Sequence, residues 1–338
     1  MPQAKVEHGT MTDSSLLARA AEIAQSVLAG DLRLGARLIR DLDDQTVLAE
    51  LILRQLWPHT GRAFILGVTG NPGAGKSTVV DSLIAYYRKA SKRVGVVAID
   101  PSSPFSGGAI LGDRIRMQRH ALDDGVFIRS LASRGHLGGL SRSTGEVVAV
   151  LDAMGFEVVI IETVGVGQSE VDVVALADTK VVVTVPGLGD EVQAIKAGIL
   201  EIADVLVVNK ADREGADRTV RDLLTMLELR HVEEPHGPES PSSEVEIIRT
   251  VAVRGEGIGE LAAAIARNQE KTAGLAAERR ARRARRELRD ALLDRCAQRV
   301  EQVLSRHTDW VEQVQRREID PYSISERLLV ELLGGTQL

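Results

Sequence analysis

Cysteine and aromatic residues are scarce in this chain, whose 338 residues include one cysteine, Cys296, and 3% aromatic residues. A single thiol excludes an intrachain disulfide framework and any metal site built from several cysteines. With so few aromatic rings, the hydrophobic core has to consist mainly of aliphatic side chains. The remaining composition, 44% hydrophobic and 27% charged, is typical of a globular protein.

Long apolar runs and an excess of positive charge are also missing. No apolar run reaches the ~18 residues of a membrane-spanning helix, and no charged-then-apolar signal opens the chain. Acidic residues outnumber Lys and Arg by 48 to 42, and the net charge of −6 argues against non-specific nucleic-acid binding. We therefore expect a cytoplasmic protein that acts on neither nucleic acids nor membranes.

Seven short segments rich in Val and Ile recur along the central part of the chain, with helical segments between them. Near-continuous apolar runs of this kind are typical of strands that are buried on both faces. The pattern predicts an α/β fold in which a mainly parallel sheet is flanked by helices. The predicted strands are 63–68, 94–99, 126–130, 156–161, 180–185, 205–208 and 245–250.

A glycine-rich segment follows the first predicted strand and leads directly into a helix. It reads G-N-P-G-A-G-K-S-T and matches the phosphate-loop pattern G-x-x-x-x-G-K-[ST] in the required strand–loop–helix context. Glycines let several N–H groups point at phosphate oxygens, and the helix N-terminus adds its partial positive charge. We expect Lys76 to reach the β- and γ-phosphates and the Ser77 hydroxyl to bind Mg²⁺. The predicted phosphate-binding residues are Gly70, Asn71, Pro72, Gly73, Ala74, Gly75, Lys76, Ser77 and Thr78.

Acidic residues follow the second and fourth predicted strands, at the sheet edge where ligands bind in this fold class. Asp100 and Asp113 stand at the ends of a loop that is a candidate switch, although Asp113 is also a suitable helix cap. Glu162 and Gly165 have the spacing of a Walker B acid and a glycine that follows the γ-phosphate. Because Val166 stands where Ras-like enzymes carry a water-orienting Gln, an acid of the first switch is the better hydrolytic candidate. We predict a catalytic set of Lys76, Asp100, Asp113 and Glu162 and a metal set of Ser77, Asp100, Asp113 and Glu162.

The sixth predicted strand ends in N-K-A-D, the N-K-x-D pattern that recognises guanine. The Asp212 carboxylate accepts hydrogen bonds from guanine N1–H and the exocyclic amine, which adenine does not offer in that geometry. The Lys210 stem packs over the base plane, and backbone N–H groups after the seventh strand are expected to bind guanine O6. The predicted base-binding residues are Asn209, Lys210, Asp212, Val251, Ala252 and Val253. These residues predict GTP rather than ATP as the nucleotide.

Helical periodicity brackets the predicted sheet on both sides. We divide the chain into an N-terminal helical extension (1–60), a P-loop GTPase domain (61–270) and a C-terminal helical arm (271–338). The N-terminal helices, which begin near Ser14, Leu32 and Asp44, are interpreted as a packing cap without chemistry of its own. The arm either forms a dimer or packs on its own domain, and its arginine-rich stretch is interpreted as a solvated helix face.

A histidine in the segment 133–139 raises the question of cobalamin binding. The segment contains H-x-x-G, part of the D-x-H-x-x-G motif by which some enzymes ligate cobalamin through His. Arg134 occupies the Asp position, so His136 lacks the acid that orients such a ligand. We expect that this chain binds no cobalamin directly.

These motifs together resemble the methylmalonyl-CoA mutase-associated GTPase family, the bacterial counterparts of the human methylmalonic aciduria type A protein. The resemblance covers nearly the whole chain and rests on the segments 70–78, 100–104, 133–139, 162–170 and 209–212. It implies a SIMIBI-class P-loop GTPase that forms a homodimer through its C-terminal arm. It also implies a chaperone that gates adenosylcobalamin loading onto methylmalonyl-CoA mutase, protects that enzyme, and hydrolyses GTP slowly until activated by it.

The resemblance further implies that Gln193 and Lys196 lie in a third switch that communicates with the mutase. From the sequence alone, the segment 186–196 is equally an ordinary strand–helix connection. Two other functions stay open at this point. A nucleotide-dependent metallocentre-insertion GTPase usually carries Cys or His ligands near its switches, which this chain lacks. A lysine/arginine/ornithine transport ATPase or kinase, a label that family members have carried, conflicts with the guanine-recognition pattern.

Overall fold

In its described part, the chain forms a seven-stranded parallel sheet with helices on both faces. The computed structural model describes residues 13–101, 117–120, 122–133, 139–163, 176–187, 203–233 and 245–332. The strands are β1 (Phe64–Gly70), β2 (Val94–Pro101), β3 (Val126–Ser133), β4 (Val158–Thr163), β5 (Thr179–Thr184), β6 (Val205–Asn209) and β7 (Glu246–Thr250). Their order is β3-β2-β4-β1-β5-β6-β7, and every neighbouring pair is parallel. The predicted α/β class and all seven predicted strands are confirmed.

Ten α-helices lie in the described ranges. They are α1 (Asp13–Leu28), α2 (Leu32–Asp43), α3 (Val47–Leu56), α4 (Lys76–Lys89), α5 (Gly139–Ala153), α6 (Ala216–Glu233), α7 (Ile258–Lys271), α8 (Ala276–Arg306), α9 (Thr308–Gln315) and α10 (Pro321–Leu332). None of the helices in these ranges is long and apolar enough to cross a membrane.

Burial of the central strands on both faces explains their continuous aliphatic sequences. In β4, Val159 and Ile161 pack with α1, α2, α3 and α5, while Val158 and Ile160 pack with α4 and α7. Alternate side chains of a strand point to opposite faces, so a strand between two helical layers must be apolar at every position. The sheet is therefore the middle of three layers.

The three N-terminal helices pack against one face of the sheet, and their boundaries are set by capping side chains. Asp31 accepts hydrogen bonds from the first N–H groups of α2. The third helix begins at Val47 rather than at the predicted Asp44, because Gln45 has φ 52° and Thr46 caps the helix by accepting from Ala49 N–H. A residue in the left-handed region ends one helix, and the cap begins the next.

Two buried or half-buried carboxylates fix the start of β1. Asp152 of α5 accepts hydrogen bonds from the N–H groups of Gly61, Arg62 and Ala63, and Asp178 accepts from Ile65 N–H at 2.8 Å. Charge-assisted hydrogen bonds of this kind are stronger than neutral ones. They hold β1 in register and thereby position the loop that follows it.

The chain divides into two compact units, residues 1–279 and 280–338. The second unit contains most of α8 together with α9 and α10. Its buried apolar side chains include Val303, Ile324 and Leu328. Within it, His307 stacks on Trp310 with ring centroids 4.1 Å apart. Several large apolar side chains of this unit are exposed, namely Leu288, Leu292, Leu293, Val311, Tyr322, Leu329 and Val330.

Candidate functional site

The candidate site lies at the carboxyl ends of four parallel strands. β1 runs into the glycine-rich loop, β4 ends with Glu162 and Thr163, β6 ends with Asn209, and β7 ends with Thr250. Because the strands lie in the order β4-β1-β5-β6-β7, these ends form one continuous edge. Ligands of open parallel α/β sheets bind at this edge.

The loop between β1 and α4 has a shape that only glycine allows at its two ends. Gly70 has φ 137°, and a Cβ there would lie 2.0 Å from the Val183 carbonyl oxygen. Gly75, the N-cap of α4, has φ 86°, and a Cβ there would lie 2.5 Å from Asn209 Nδ2. The loop therefore curls tightly against β5 and β6, which aims its backbone and the α4 N-terminus at the site.

Lys76, the first residue of α4, is buried and folds back over the loop. Its Nζ donates to the carbonyl oxygens of Gly70 at 2.9 Å and Asn71 at 3.0 Å. These contacts hold the ammonium group inside the curl of the loop, next to the helix N-terminus. Both features favour an anion, such as a phosphate group, at this position.

Ser77 and Glu162 meet where β1 and β4 end. The Ser77 hydroxyl donates to Glu162 Oε1 at 2.6 Å, and both residues are buried. The parallel pairing of Val68 with Glu162 brings the carboxylate beside the loop. Next to them, Thr163 Oγ1 donates to Thr69 Oγ1 at 2.9 Å. The strand register thus unites two residues that are 85 positions apart in the sequence.

The oxygens of Ser77 and Glu162 suit Mg²⁺, a hard cation that prefers oxygen ligands and takes several of them from phosphates and water. In the parts of the chain that the structure describes, no three His, Cys, Asp or Glu side chains form a metal site by themselves. One hydroxyl and one carboxylate fit a cation that also binds a nucleotide. They do not fit a structural zinc site, which needs four protein ligands.

Asn209 ties the ends of β6 and β7 to the glycine-rich loop that follows β1. Its Nδ2 donates to the Ala74 carbonyl at 2.9 Å, and its buried Oδ1 accepts from Thr250 Oγ1 at 3.1 Å and from Ala252 N–H at 3.2 Å. Both polar atoms of this side chain are bonded inside the protein. Asn209 therefore fixes the loop after β7 relative to the loop after β1.

Lys210 makes the second contact between the end of β6 and the glycine-rich loop. Its Nζ donates to the Gly73 carbonyl at 2.8 Å, and its backbone has φ 56°. A left-handed conformation costs a non-glycine residue roughly 1–2 kcal/mol. The backbone hydrogen bond from Ala211 N–H to the Thr250 carbonyl at 3.0 Å supports this turn. The strained turn directs the Lys210 stem across the site.

Asp212 lies at the exposed end of the same turn and pairs with Arg254 at 3.4 Å. Of the three residues expected to offer N–H groups to guanine O6, two donate within the chain. Val251 N–H binds the Glu256 carbonyl at 3.0 Å, and Ala252 N–H binds Asn209. Either N–H group could contact a base only by sharing its hydrogen between its present acceptor and the base. Binding of guanine O6 by the segment 251–253 therefore stays a prediction.

Several predicted site residues lie outside the described residues. These are Asp113, Gly165, Gln193 and Lys196, the side chain of Asp100, and also His136 of the H-x-x-G segment. The described residues of the predicted site, from the glycine-rich loop to Glu162 and Asn209, lie along one edge of the sheet.

Sequence reasoning missed two side chains that contact the site. Ser82 of α4 donates to the Ala252 carbonyl at 2.9 Å, and Arg254 contacts Asp212. No pattern signals Ser82, because its partner is 170 positions away. The alternating charges of Arg254 and Glu256 after the seventh strand were the one available signal for the second contact.

Comparison with known proteins gives concordant matches. The family model described as methylmalonyl-CoA mutase-associated GTPase MeaB matches residues 38–305. A protein of Pyrococcus horikoshii that is named as a GTPase is 47% identical over 316 residues, 93% of this chain and 98% of that protein. The mitochondrial methylmalonic aciduria type A homolog of Mus musculus is 39% identical over 202 residues, 59% of this chain and 47% of that protein.

One solved structure shares the fold over nearly the whole chain. The crystal structure of an LAO/AO transport system kinase superposes with a TM-score of 0.64 and 23% sequence identity, and the match covers 96% of this chain and 99% of that chain. At this identity the likeness concerns the fold alone.

Proposed function

The chain belongs to the methylmalonyl-CoA mutase-associated GTPase family, and from that membership we propose that it is a GTP-dependent chaperone of methylmalonyl-CoA mutase. In this proposal it gates adenosylcobalamin loading onto the mutase and protects that enzyme from inactivation. The observation that carries the nucleotide part is the pair of contacts from Asn209 to Ala74 and from Lys210 to Gly73. Through these contacts the guanine-recognition motif and the glycine-rich loop form one connected unit.

We assign nucleotide recognition to two ends of this unit. The loop N–H groups and Lys76 bind the β- and γ-phosphates, because the ammonium is held inside the loop. Asp212 accepts from guanine N1–H and the exocyclic amine, and the Lys210 stem lies along the base. Adenine presents no matching pair of donors to Asp212, which accounts for selection of GTP.

We assign Mg²⁺ to Ser77 and Glu162, together with Asp100 and Asp113 as predicted from the sequence. When bound, Mg²⁺ supplies charge neutralisation on the β- and γ-phosphate oxygens. The Ser77 hydroxyl and the Glu162 carboxylate are already in contact, so little rearrangement of these two groups is required. Asp100 or Asp113 of the first switch orients the attacking water.

We assign communication with the mutase to Gln193 and Lys196 of the third switch. The helical arm, residues 271–338, forms the homodimer in this proposal, and the exposed leucines of α8 agree with a partner surface. The extension 1–60 and the GTPase domain 61–270 complete the proposed organisation. GTP hydrolysis is slow in the free protein and rises when the mutase binds.

The test is a measurement of GTP turnover with and without a purified methylmalonyl-CoA mutase, together with the transfer of adenosylcobalamin to that enzyme. We expect the mutase to raise turnover and the Lys196→Ala variant to lose this response while its affinity for GTP stays unchanged. Lys89→Ala is the matched control, because Lys89 is exposed at the opposite end of α4. The proposal fails if the mutase changes neither turnover nor cofactor transfer, and the relay fails if Lys196→Ala behaves as Lys89→Ala does.

A further inference from the structure

The loop between β7 and α7 has a fixed, buckled shape. Val251 and Glu256 form an antiparallel bridge with a 3.0 Å hydrogen bond from Val251 N–H to the Glu256 carbonyl. Arg254 N–H donates to the Val251 carbonyl at 2.9 Å, and Gly255 and Gly257 have φ 73° and 76°. These backbone contacts place the side chains of Arg254 and Glu256 on the same short segment.

Arg254 connects this loop to the acid of the guanine-recognition motif. Its Nε donates to Glu256 Oε1 at 2.7 Å and its Nη2 to Glu256 Oε2 at 3.3 Å, which is a two-point contact. Its Nη1 lies 3.4 Å from Asp212 Oδ2. The hydrogen bond to Glu256, followed by the charges of Glu256 and Asp212, raises the pKa of Arg254 above its ordinary value. The guanidinium is therefore a permanent cation between two carboxylates.

We propose that Arg254 is a positioning residue for base selection, anchored by Glu256 and fixing the Asp212 carboxylate so that both of its oxygens face the base. This inference rests on the proposed role of Asp212 in guanine recognition. The two-point contact with Glu256 fixes the planar guanidinium fork. The remaining Nη1 group of Arg254 then holds one carboxylate oxygen of Asp212, Oδ2, at a defined position. Without it, Asp212 rotates more freely, and Asp212 and Glu256 repel each other without a cation between them.

A comparison of guanine and hypoxanthine nucleotides reports on this orientation. Hypoxanthine keeps N1–H and O6 but lacks the exocyclic amine, so it makes one hydrogen bond to Asp212 where guanine makes two. A fixed carboxylate benefits from the second bond, and a freely rotating one loses much of it. The ratio of IDP to GDP dissociation constants therefore measures how well Asp212 is held.

The experiment is calorimetric titration of the full chain with GDP and IDP, which avoids turnover. We expect Arg254→Gln to lower the GDP preference over IDP about three- to tenfold, chiefly by weakening GDP, because about one hydrogen bond is affected. Arg254→Lys, which keeps the charge but not the fork, should lie between wild type and Arg254→Gln. Glu256→Gln should act in the same direction with a smaller effect.

Arg249→Gln is the matched control, because Arg249 pairs with Asp217 at 2.8 Å in the same region without touching Asp212. Wild-type protein gives an independent test, since the exposed side chains of Asp212 (42%) and Arg254 (51%) make their attraction sensitive to salt. The wild-type GDP preference should fall in high salt, while that of Arg254→Gln should change less.

Three results separate the possible failures. An unchanged GDP preference in Arg254→Gln overturns the positioning role. An equal loss of GDP and IDP affinity also overturns it, because that pattern indicates a disturbed loop rather than a disoriented carboxylate. If wild-type protein binds ADP as tightly as GDP, the proposed guanine recognition itself fails, and the inference falls with it.

Discussion

The phosphate side and the base side of the candidate site are built in different ways. On the phosphate side, Lys76, Ser77 and Glu162 are at most 6% exposed and are held by a loop conformation that requires glycine. On the base side, Asp212 and Arg254 are about half exposed and are held by an ion pair. Buried groups are little affected by salt, and their removal is costly because it leaves their buried partners unsatisfied. An exposed ion pair contributes roughly 0–1 kcal/mol and is screened by salt. We therefore expect large effects from substitutions on the phosphate side and graded, selective effects on the base side.

Replacement of Lys76 by Ala should have the largest effect. It removes the cation that the loop holds against Gly70 and Asn71, and we expect GTP turnover to fall at least about 100-fold. Steady-state phosphate release measures this loss. Lys89→Ala should turn over at the wild-type rate, and a Lys76→Ala variant that did the same would contradict the assignment of the phosphate side.

Asp212→Asn tests the base side by changing selectivity rather than activity. Asparagine offers a donor where aspartate offers an acceptor, so it complements xanthine, which carries an oxygen in place of the guanine amine. We expect a change of about 100-fold in the ratio of XTP to GTP affinity, with Lys76-dependent hydrolysis retained for bound XTP. Competition titrations measure the ratio. An unaltered preference for GTP would show that Asp212 does not hydrogen-bond to the base.

Gly75→Ala tests the contact between the two sides. The added Cβ would lie 2.5 Å from Asn209 Nδ2, so we expect an extra loss of about 1–3 kcal/mol in the free energy of unfolding, along with weaker GDP binding. Gly61→Ala is the control, since Gly61 has a similar φ of 90° with open space around it. Urea denaturation compares the two variants. Equal losses of unfolding free energy in the two variants would mean that the Asn209 side chain moves away from the added Cβ without destabilising the protein.

The smallest effect is expected from an ion pair away from both sides. The hydrogen bond from Arg88, followed by that from Gly125 N–H, lowers the pKa of Asp123 below its ordinary value. A lowered folded-state pKa stabilises the protein above the unfolded-state pKa, and this contribution is lost as the pH falls through the folded-state pKa. With side chains a quarter to a third exposed, we expect less than about 1 kcal/mol.

Unfolding curves of wild type and Asp123→Asn between pH 7 and pH 2 measure that contribution. The difference between the two proteins should shrink as the pH falls. A difference that stayed constant would assign the effect of Asp123 to packing rather than to its charge.

The strands could be predicted from the sequence because burial on both faces leaves a local signal. Their ends could not. β2 and β3 extend to Pro101 and Ser133, beyond the predicted ends, because their backbone pairing continues in register to those residues. β4 starts two residues after its predicted start, because Phe156 N–H still donates to the Leu151 carbonyl at the end of α5. Strand ends depend on partners that are distant in sequence.

The same division holds for the candidate site. The glycine-rich loop and N-K-A-D are contiguous motifs, and each could be recognised from its own residues. The contacts that join them could not, because Asn209 meets Ala74 across 135 positions and Arg254 meets Asp212 across 42. Motifs made of contiguous residues are therefore predictable from the sequence. The contacts that join or orient these motifs depend on the order of the strands in the sheet.

The central claim is that the buried phosphate side and the exposed base side act together to select GTP. Competition binding of GTP and ATP to the wild-type protein, in the presence of Mg²⁺, tests it most directly. We expect GTP to bind at least about 100-fold more tightly than ATP, because a site built to hydrogen-bond one base leaves its polar groups unpaired with another. Equal affinities, or tighter binding of ATP, would contradict it.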